Sequence, residues 1–149
     1  MVQRILTSIH GRKVGLDAKG NLVVGGKRAV TTDDNGLQVK LQGAPDALNA
    51  TGDLTAALIA KGVVTSSTAS AVTATLATGT QMDTAFGTLV EIGEAIEWSA
   101  VNTGGSNAFT VTQNTDHTVV GAGAVAANNS GLFRSKRTAA NTWVTYRIA

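Results

Sequence analysis

The sequence predicts a mainly β fold: an antiparallel sandwich or barrel with one or two short helices and an N-terminal β-hairpin arm. Three observations carry that prediction. Apolar and polar residues alternate over short runs, the period of a half-buried strand. The runs recur about every ten residues, with Gly- or Asn-containing turns between them. The apolar residues make up 43% of 149 positions, yet only 4% of positions are aromatic, and a core of Ala and Val suits thin β layers better than a bulky globule.

A chain of this length fits one domain with a small appendage. Its organisation reads as an N-terminal β arm over 1–42, a linker with a short helix over 43–62, and a C-terminal antiparallel β domain over 63–149. In the arm the candidate strands are Arg4–Ile9, Lys13–Leu16, Leu22–Val24 and Leu37–Leu41. The stretches AKGN (18–21), VGGK (24–27) and DDNG (33–36) supply turn residues that tolerate positive φ. GAPDALNATGD (43–53) holds the single proline and reads as linker.

The helix signal is clearest over 51–62, with Asp53 or Thr51 as cap, Leu54, Leu58 and Ala57 on one face, and Lys61 and Gly62 at the end. Thirteen of the seventeen residues from 64 to 80 are Ser, Thr or Ala, a bias typical of unstructured chain. Val72, Ala74 and Leu76 nevertheless alternate with polar neighbours, which predicts a strand over 71–77. TQMDTAFG (80–87) predicts one or two helical turns capped by Thr80. From Glu94 onward the pattern is β: Ile96, Trp98 and Ala100 alternate with Glu97, Ser99 and Val101, and Phe109 and Val111 with Thr110 and Thr112. HTVVG, LFRSKR and TWVTYRI follow, the last two reading as a closing hairpin that turns near Ala139–Asn141 and seals the sheet with Trp143.

Charge is sparse, 15% of residues against about 25% in ordinary soluble domains, as suits a surface packed against neighbours. It is also segregated. Residues 1–40 carry seven basic and three acidic side chains, 41–100 one and six, and 101–149 four and one. Alternating blocks suit contacts between copies better than the continuous positive face of a nucleic-acid binder. The SKR run at 135–137 lies near Phe133, Trp143 and Tyr146, a makeup shared with single-strand binders. With six aromatic side chains in all, the core has first claim on them, so no nucleic-acid partner is expected.

No catalytic, cofactor or metal site emerges. GAGAVA (121–126) fits a dinucleotide fingerprint, but NNSG interrupts the helix that must follow and position 141 is Asn rather than an acid. Asp33, Asn35 and Gly36 imitate the start of a calcium loop whose twelfth residue would be Gln42, not a bidentate carboxylate. His10 and His117 lack a nucleophile elbow, and Glu91, Glu94 and Glu97 lose their helical spacing where the strand begins. Cysteine is absent, which removes thiolate chemistry. There is no run of about 18 apolar residues to span a membrane, and MVQRILTSIHGRK lacks the apolar core of a signal peptide. The expectation is a non-enzymatic protein made in a cytoplasm, which stays soluble or joins an assembly.

Several stretches then resemble one group of proteins: ATGTQMDTAF (77–86), IGEAIEWSAVNTG (92–104) and HTVVGAGAVAANNSGLFRSKRTAANTWVTYRI (117–148), with ILTSIHGRKVGLD matching more loosely. Together they are similar to small structural proteins of tailed bacteriophages, the capsid decoration or cement proteins. The resemblance implies a β-rich homotrimer on the outer capsid surface of the virion, bridging capsomers and bound to the major capsid protein, without cofactor. Arg4, Arg12 and Lys13 are the expected capsid contacts. Glu94 and Glu97 on one subunit, with Arg134, Lys136 and Arg147 on the next, are the expected subunit contacts. The alternative is a head-fibre or tail module binding a host receptor or glycan through a Trp98 platform flanked by Glu97 and Asn102.

Overall fold

The computed structural model describes residues 43–149 and, nearer the N-terminus, the strands β1 (Val14–Leu16), β2 (Leu22–Val24) and β3 (Lys27–Arg28). Two compact units are present, Met1–Leu41 and Gln42–Ala149. In the first, β1 pairs antiparallel with β2 and β2 with β3, a meander whose β3 starts at Lys27, the last residue of the expected VGGK turn. β1 and β2 fall on two predicted strands. The other two, and Arg4, Arg12 and Lys13, lie outside the described residues.

The second unit runs β4 (Asp46–Ala47), β5 (Gly52–Leu54), α1 (Ala56–Ala60), β6 (Val63–Ser66), β7 (Val72–Leu76), α2 (Gly79–Phe86) and β8 (Ala95–Asn102). It continues with β9 (Phe109–Thr112), β10 (His117–Val120), β11 (Ala124–Val125), β12 (Asn129–Ala139) and β13 (Thr142–Arg147). A six-stranded sheet has the order β10-β13-β12-β8-β6-β4, and a four-stranded sheet the order β11-β9-β7-β5. From β4 to β11 the chain therefore changes sheet at every strand.

The mainly β class with two short helices is as predicted; the strand directions are mixed. β4, β6 and β8 are mutually parallel, as are β5, β7 and β9, so residues 46–112 wind as coils of two strands each. Antiparallel pairing in this unit joins β8 to β12, β12 to β13 and β9 to β11, and β10 adds to β13 in parallel. Period-two alternation records which face is buried and says nothing about direction. Parallel neighbours need a crossover, which here is a passage through the opposite sheet. α1 and α2 ride on the return legs, from β5 to β6 and from β7 to β8.

The two inner faces enclose one core. Val64, Trp98, Ala100, Phe133 and Trp143 come from the larger sheet, and Leu54, Val72, Ala74, Leu76, Phe109, Val111 and Val125 from the smaller. Ala and Val share the core with Phe86, Trp98, Phe109, Phe133 and Trp143, so the few aromatic side chains are spent inside the fold, as expected. Trp98 stacks on its cross-strand neighbour Phe133 with centroids 4.6 Å apart. Segment 43–62 belongs to this unit, supplying β4, β5 and α1, and the Ser/Thr/Ala-rich stretch supplies β6 and β7.

Both helix caps lie beside the expected residues. Thr55, not Asp53 or Thr51, caps α1, because Gly52–Leu54 is taken up by parallel pairing with β7. The helix buries Ala56 and Ile59 and leaves Ala57 exposed, and Gly62 beyond its end has φ 80°. Thr78 caps α2 in place of Thr80, forming a reciprocal capping box with Gln81. Gly79 opens α2 where no side chain fits: a Cβ there would strike the carbonyl oxygens of Asn141 and Asp116. The closing hairpin β12–β13 is as predicted, with Asn141 at φ 55° in its turn.

Candidate functional site

Two buried polar clusters flank Trp143. In the first, Asp83 on α2 accepts hydrogen bonds from the Trp143 indole N–H at 2.7 Å, the Asn141 backbone N–H at 2.8 Å and Arg137 Nη2 at 2.5 Å. Its side chain is 12% exposed and that of Arg137 14%. Burial alone would raise the Asp83 carboxyl; the bonds from Asn141, Arg137 and Trp143, with the guanidinium charge, outweigh it and hold the group below its ordinary value. Arg137 Nη1 turns the other way and donates to the carbonyls of Gly87 and Val90.

The second cluster crosses the inner face of the larger sheet. His117 Nδ1 lies 2.7 Å from the Ala77 carbonyl and Nε2 2.8 Å from Thr145 Oγ1. Thr145 Oγ1 is 2.7 Å from Ser135 Oγ, which accepts from the Trp98 indole N–H at 3.0 Å. His117, Ser135 and Thr145 are fully buried. Desolvation pushes the imidazole below its ordinary value, and the Ala77 bond pulls the other way without restoring it. Ser135 reaches the histidine only through Thr145, and the run ties β8, β12, β13 and β10 to the residue before the α2 cap.

Buried Arg137 anchors what lies outside it. Besides the two carbonyl bonds, its backbone accepts from Gly93 N–H at 2.8 Å and donates to the Glu94 carbonyl at 3.0 Å. The Glu94 carboxylate accepts from the Glu91 N–H at 2.8 Å. The 87–94 segment is thereby bonded at both ends, and it presents Leu89 at 76% exposure and Ile92 at 61%. A second apolar patch lies at the β10 edge, where Val120 and Ile148 are each 49% exposed. On the outward face Val120, Tyr146, Arg134 and Glu97 form one row across β10, β13, β12 and β8.

That row sets two of the expected subunit-contact residues side by side in one chain. Arg134 and Glu97 are direct cross-strand neighbours and pair within one chain at 2.7 Å. Arg147 lies with its guanidinium 5.1 Å from the Phe133 ring centre and donates to the carbonyls of Ala124, Ser130 and Ala149. Glu94 caps its own turn, and Lys136 is exposed on β12. The segregated charges thus meet first inside the fold, Asp83 with Arg137 and Glu97 with Arg134.

The expected aromatic platform at Trp98 does not form. Trp98 is 1% exposed, and Glu97 projects from the opposite face of β8. Asn102 is buried: its amide donates to the carbonyls of Asn107 and Val125, and its oxygen accepts from Gly104 N–H. It does line a shallow groove of about 380 Å³ with Val101, Thr103, Asn128, Asn129 and Ser130. Among the described residues no group of three His, Asp or Glu side chains is placed to hold a metal ion, and no helix is long and apolar enough to cross a membrane.

Sequence reasoning missed the Asp83–Arg137 pair and the 87–94 loop. A lone Asp on a short amphipathic helix and an Arg at the end of the SKR run carry no local signal of each other across 54 residues. Leu89 and Ile92 were legible as apolar residues outside any periodic run. No protein-family model, curated protein or solved structure matches the chain.

Proposed function

We propose that the protein is a structural component of a tailed-phage virion, binding the outside of the capsid as a homotrimer and stabilising the shell by bridging capsomers. The observation that carries this reading is the 87–94 loop. Two large apolar side chains stand in water on a segment fastened by a buried arginine. Exposure of that kind marks a contact surface, and a fastened loop loses little conformational entropy on docking. The sequence resemblance supplies the kind of partner, the major capsid protein. The buried His117 run and the Asp83 carboxylate, which is taken up by Trp143, Asn141 and Arg137, favour a non-enzymatic role.

Binding only the assembled lattice would stabilise it by mass action. Three copies joined in one particle would each need only a weak contact, because the second and third form at high effective concentration. Light scattering tests the copy number first: a trimer of the 15.1 kDa chain has a mass of about 45 kDa. A shell heated with and without added protein tests the function, and unchanged heat release of the shell contents would refute it.

The receptor or glycan reading is favoured by one observation, the groove lined by the Asn128, Asn129, Ser130 and Thr103 side chains. Amide and hydroxyl groups there could bond sugar hydroxyls. Chemical-shift changes at Asn128–Ser130 on adding oligosaccharides would support it over shell binding.

A further inference from the structure

We propose that the outer face of the six-stranded sheet joins copies of this chain, the β13–β12 half of one face packing against the β8–β6 half of the next. Resting on the homotrimer reading, this assigns the trimer a surface distinct from the 87–94 loop, which is left for the shell. Strand register lays the face out. Val144 stands beside Lys136 and Lys136 beside Ala95; in the next row Tyr146 stands beside Arg134 and Arg134 beside Glu97. Further on, Ile148 N–H donates to the Leu132 carbonyl, Leu132 neighbours Ser99, and Ser99 neighbours Val63. Val101, two residues beyond Ser99, closes that end beside Thr65.

An apolar band therefore crosses the sheet from β13 to β6, broken only by the small Ser99. The alternate residues Trp143, Phe133, Trp98 and Val64 fill the core, so the band faces away from it and its members stay part-exposed. Strands about 4.8 Å apart and side-chain repeats of about 6.8 Å give it a footprint on the order of a few hundred Å², the size at which a patch on a single chain marks a contact site. That is less than the roughly 800 Å² each partner gives to a stable pair. In a closed ring each copy uses the band twice, and closure makes the last contact intramolecular.

Charge selects a copy of this chain as the occupant. The cations of the face, Arg134 and Lys136, both stand on β12, whereas Glu97 stands on β8 and Glu94 immediately precedes that strand. One half of the face is thus basic and the other acidic. Arg134 and Glu97 neutralise each other at the seam. Lys136 on one side and Glu94 on the other have no ion-pair partner among the described residues. Set head to tail, the basic half of one copy meets the acidic half of the next, and a heterologous contact of that kind can close into a ring. A polyanion would meet Glu97 and Glu94 on the same face.

The test is light scattering of the intact protein and of the double variant Leu132→Lys with Val101→Lys, which puts a cation into each half of the band. The parent should run at about 45 kDa and the variant at the 15.1 kDa of one chain, with the parent's circular dichroism. A folded variant that keeps the parent's mass overturns the interface. In the unmodified protein, a soluble paramagnetic agent should erase the Leu89 methyl signals and spare those of Leu132 and Val144. Equal loss at all three overturns the proposal whether or not the variant folds. A parent of 15.1 kDa also overturns it, and loss of shell binding by the variant would then give the face to the shell. Heated shells report on the capsid reading separately: a trimer split by the variant sustains this interface even where the parent adds no heat resistance to shells and that reading fails.

Discussion

The Trp143 indole N–H bonds Asp83 Oδ1 at 2.7 Å, tying α2 to the last strand of the fold across sixty residues. Asp83 is the hub of this join, since it also receives Arg137 and the turn amide of Asn141. Replacing it with Asn keeps an oxygen for Trp143 but leaves the Arg137 guanidinium in a nearly closed site without its counter-charge. Breaking a buried pair from one side costs about 3–5 kcal/mol. Asp83→Asn should therefore lower the urea midpoint severely, whereas Arg134→Ala, which breaks the exposed pair with Glu97, should cost about 1 kcal/mol or less.

Acid should weaken the fold in two steps. His117 has a folded pKa below its ordinary value of 6.5. Below that value the unfolded chain binds the proton more readily, so the stability this group contributes is whole above 6.5 and drains as pH falls toward the folded value. Asp83 likewise sits below its ordinary 3.8; its contribution is whole above 3.8 and is lost as pH falls through the folded value. Urea unfolding at a series of pH values should show the first decline begin near 6.5. A flat profile down to 4 would contradict the buried neutral state of His117.

Gly79→Ala should be strongly destabilising, by about 1–3 kcal/mol, because the added methyl meets two backbone carbonyls that cannot rotate away. Gly105→Ala is the control, since a Cβ there meets nothing within 4 Å. A thermal melt of each variant separates the two; equal melting temperatures would mean that α2 does not press on the hairpin turn as described.

Leu89→Asp with Ile92→Asp should leave the unfolding midpoint within about 0.5 kcal/mol of the parent, as for other exposed substitutions, while abolishing shell binding. Intact binding by this variant, measured by co-sedimentation with shells, would remove the loop from the contact surface.

How much of this was legible in advance depended on range. Alternation in Val72–Leu76, Ala95–Asn102 and Phe109–Thr112 marked the strands and their buried faces, because that pattern is written in adjacent residues. The turn at Asn141 was legible for the same reason. Strand direction was not, since a parallel coil and an antiparallel hairpin bury the same alternate residues. Thr55 and Thr78 were passed over as caps because neighbouring Thr and Asp residues suit the position equally by composition, and only pairing of Gly52–Leu54 with β7 decides the first case. The charged residues were read as surface complements between copies. Arg134 finds Glu97 through strand register and Arg137 finds Asp83 through helix docking, neither of which is a local property.

The alternation of the chain between two sheets also bears on the order of events in time. β4 cannot pair with β6, nor β5 with β7, until the intervening chain has been laid through the opposite layer. Neither sheet has a rehearsal of its own, and both must condense in the same step. Within the second unit, β12 and β13, joined by a tight turn, are the one pair of sequence-adjacent strands that bond to each other and can meet early. Long-range pairing of this kind slows folding to about milliseconds to seconds. Refolding should accordingly show one cooperative phase, with the hairpin already formed at its barrier and the coil strands arriving together afterwards.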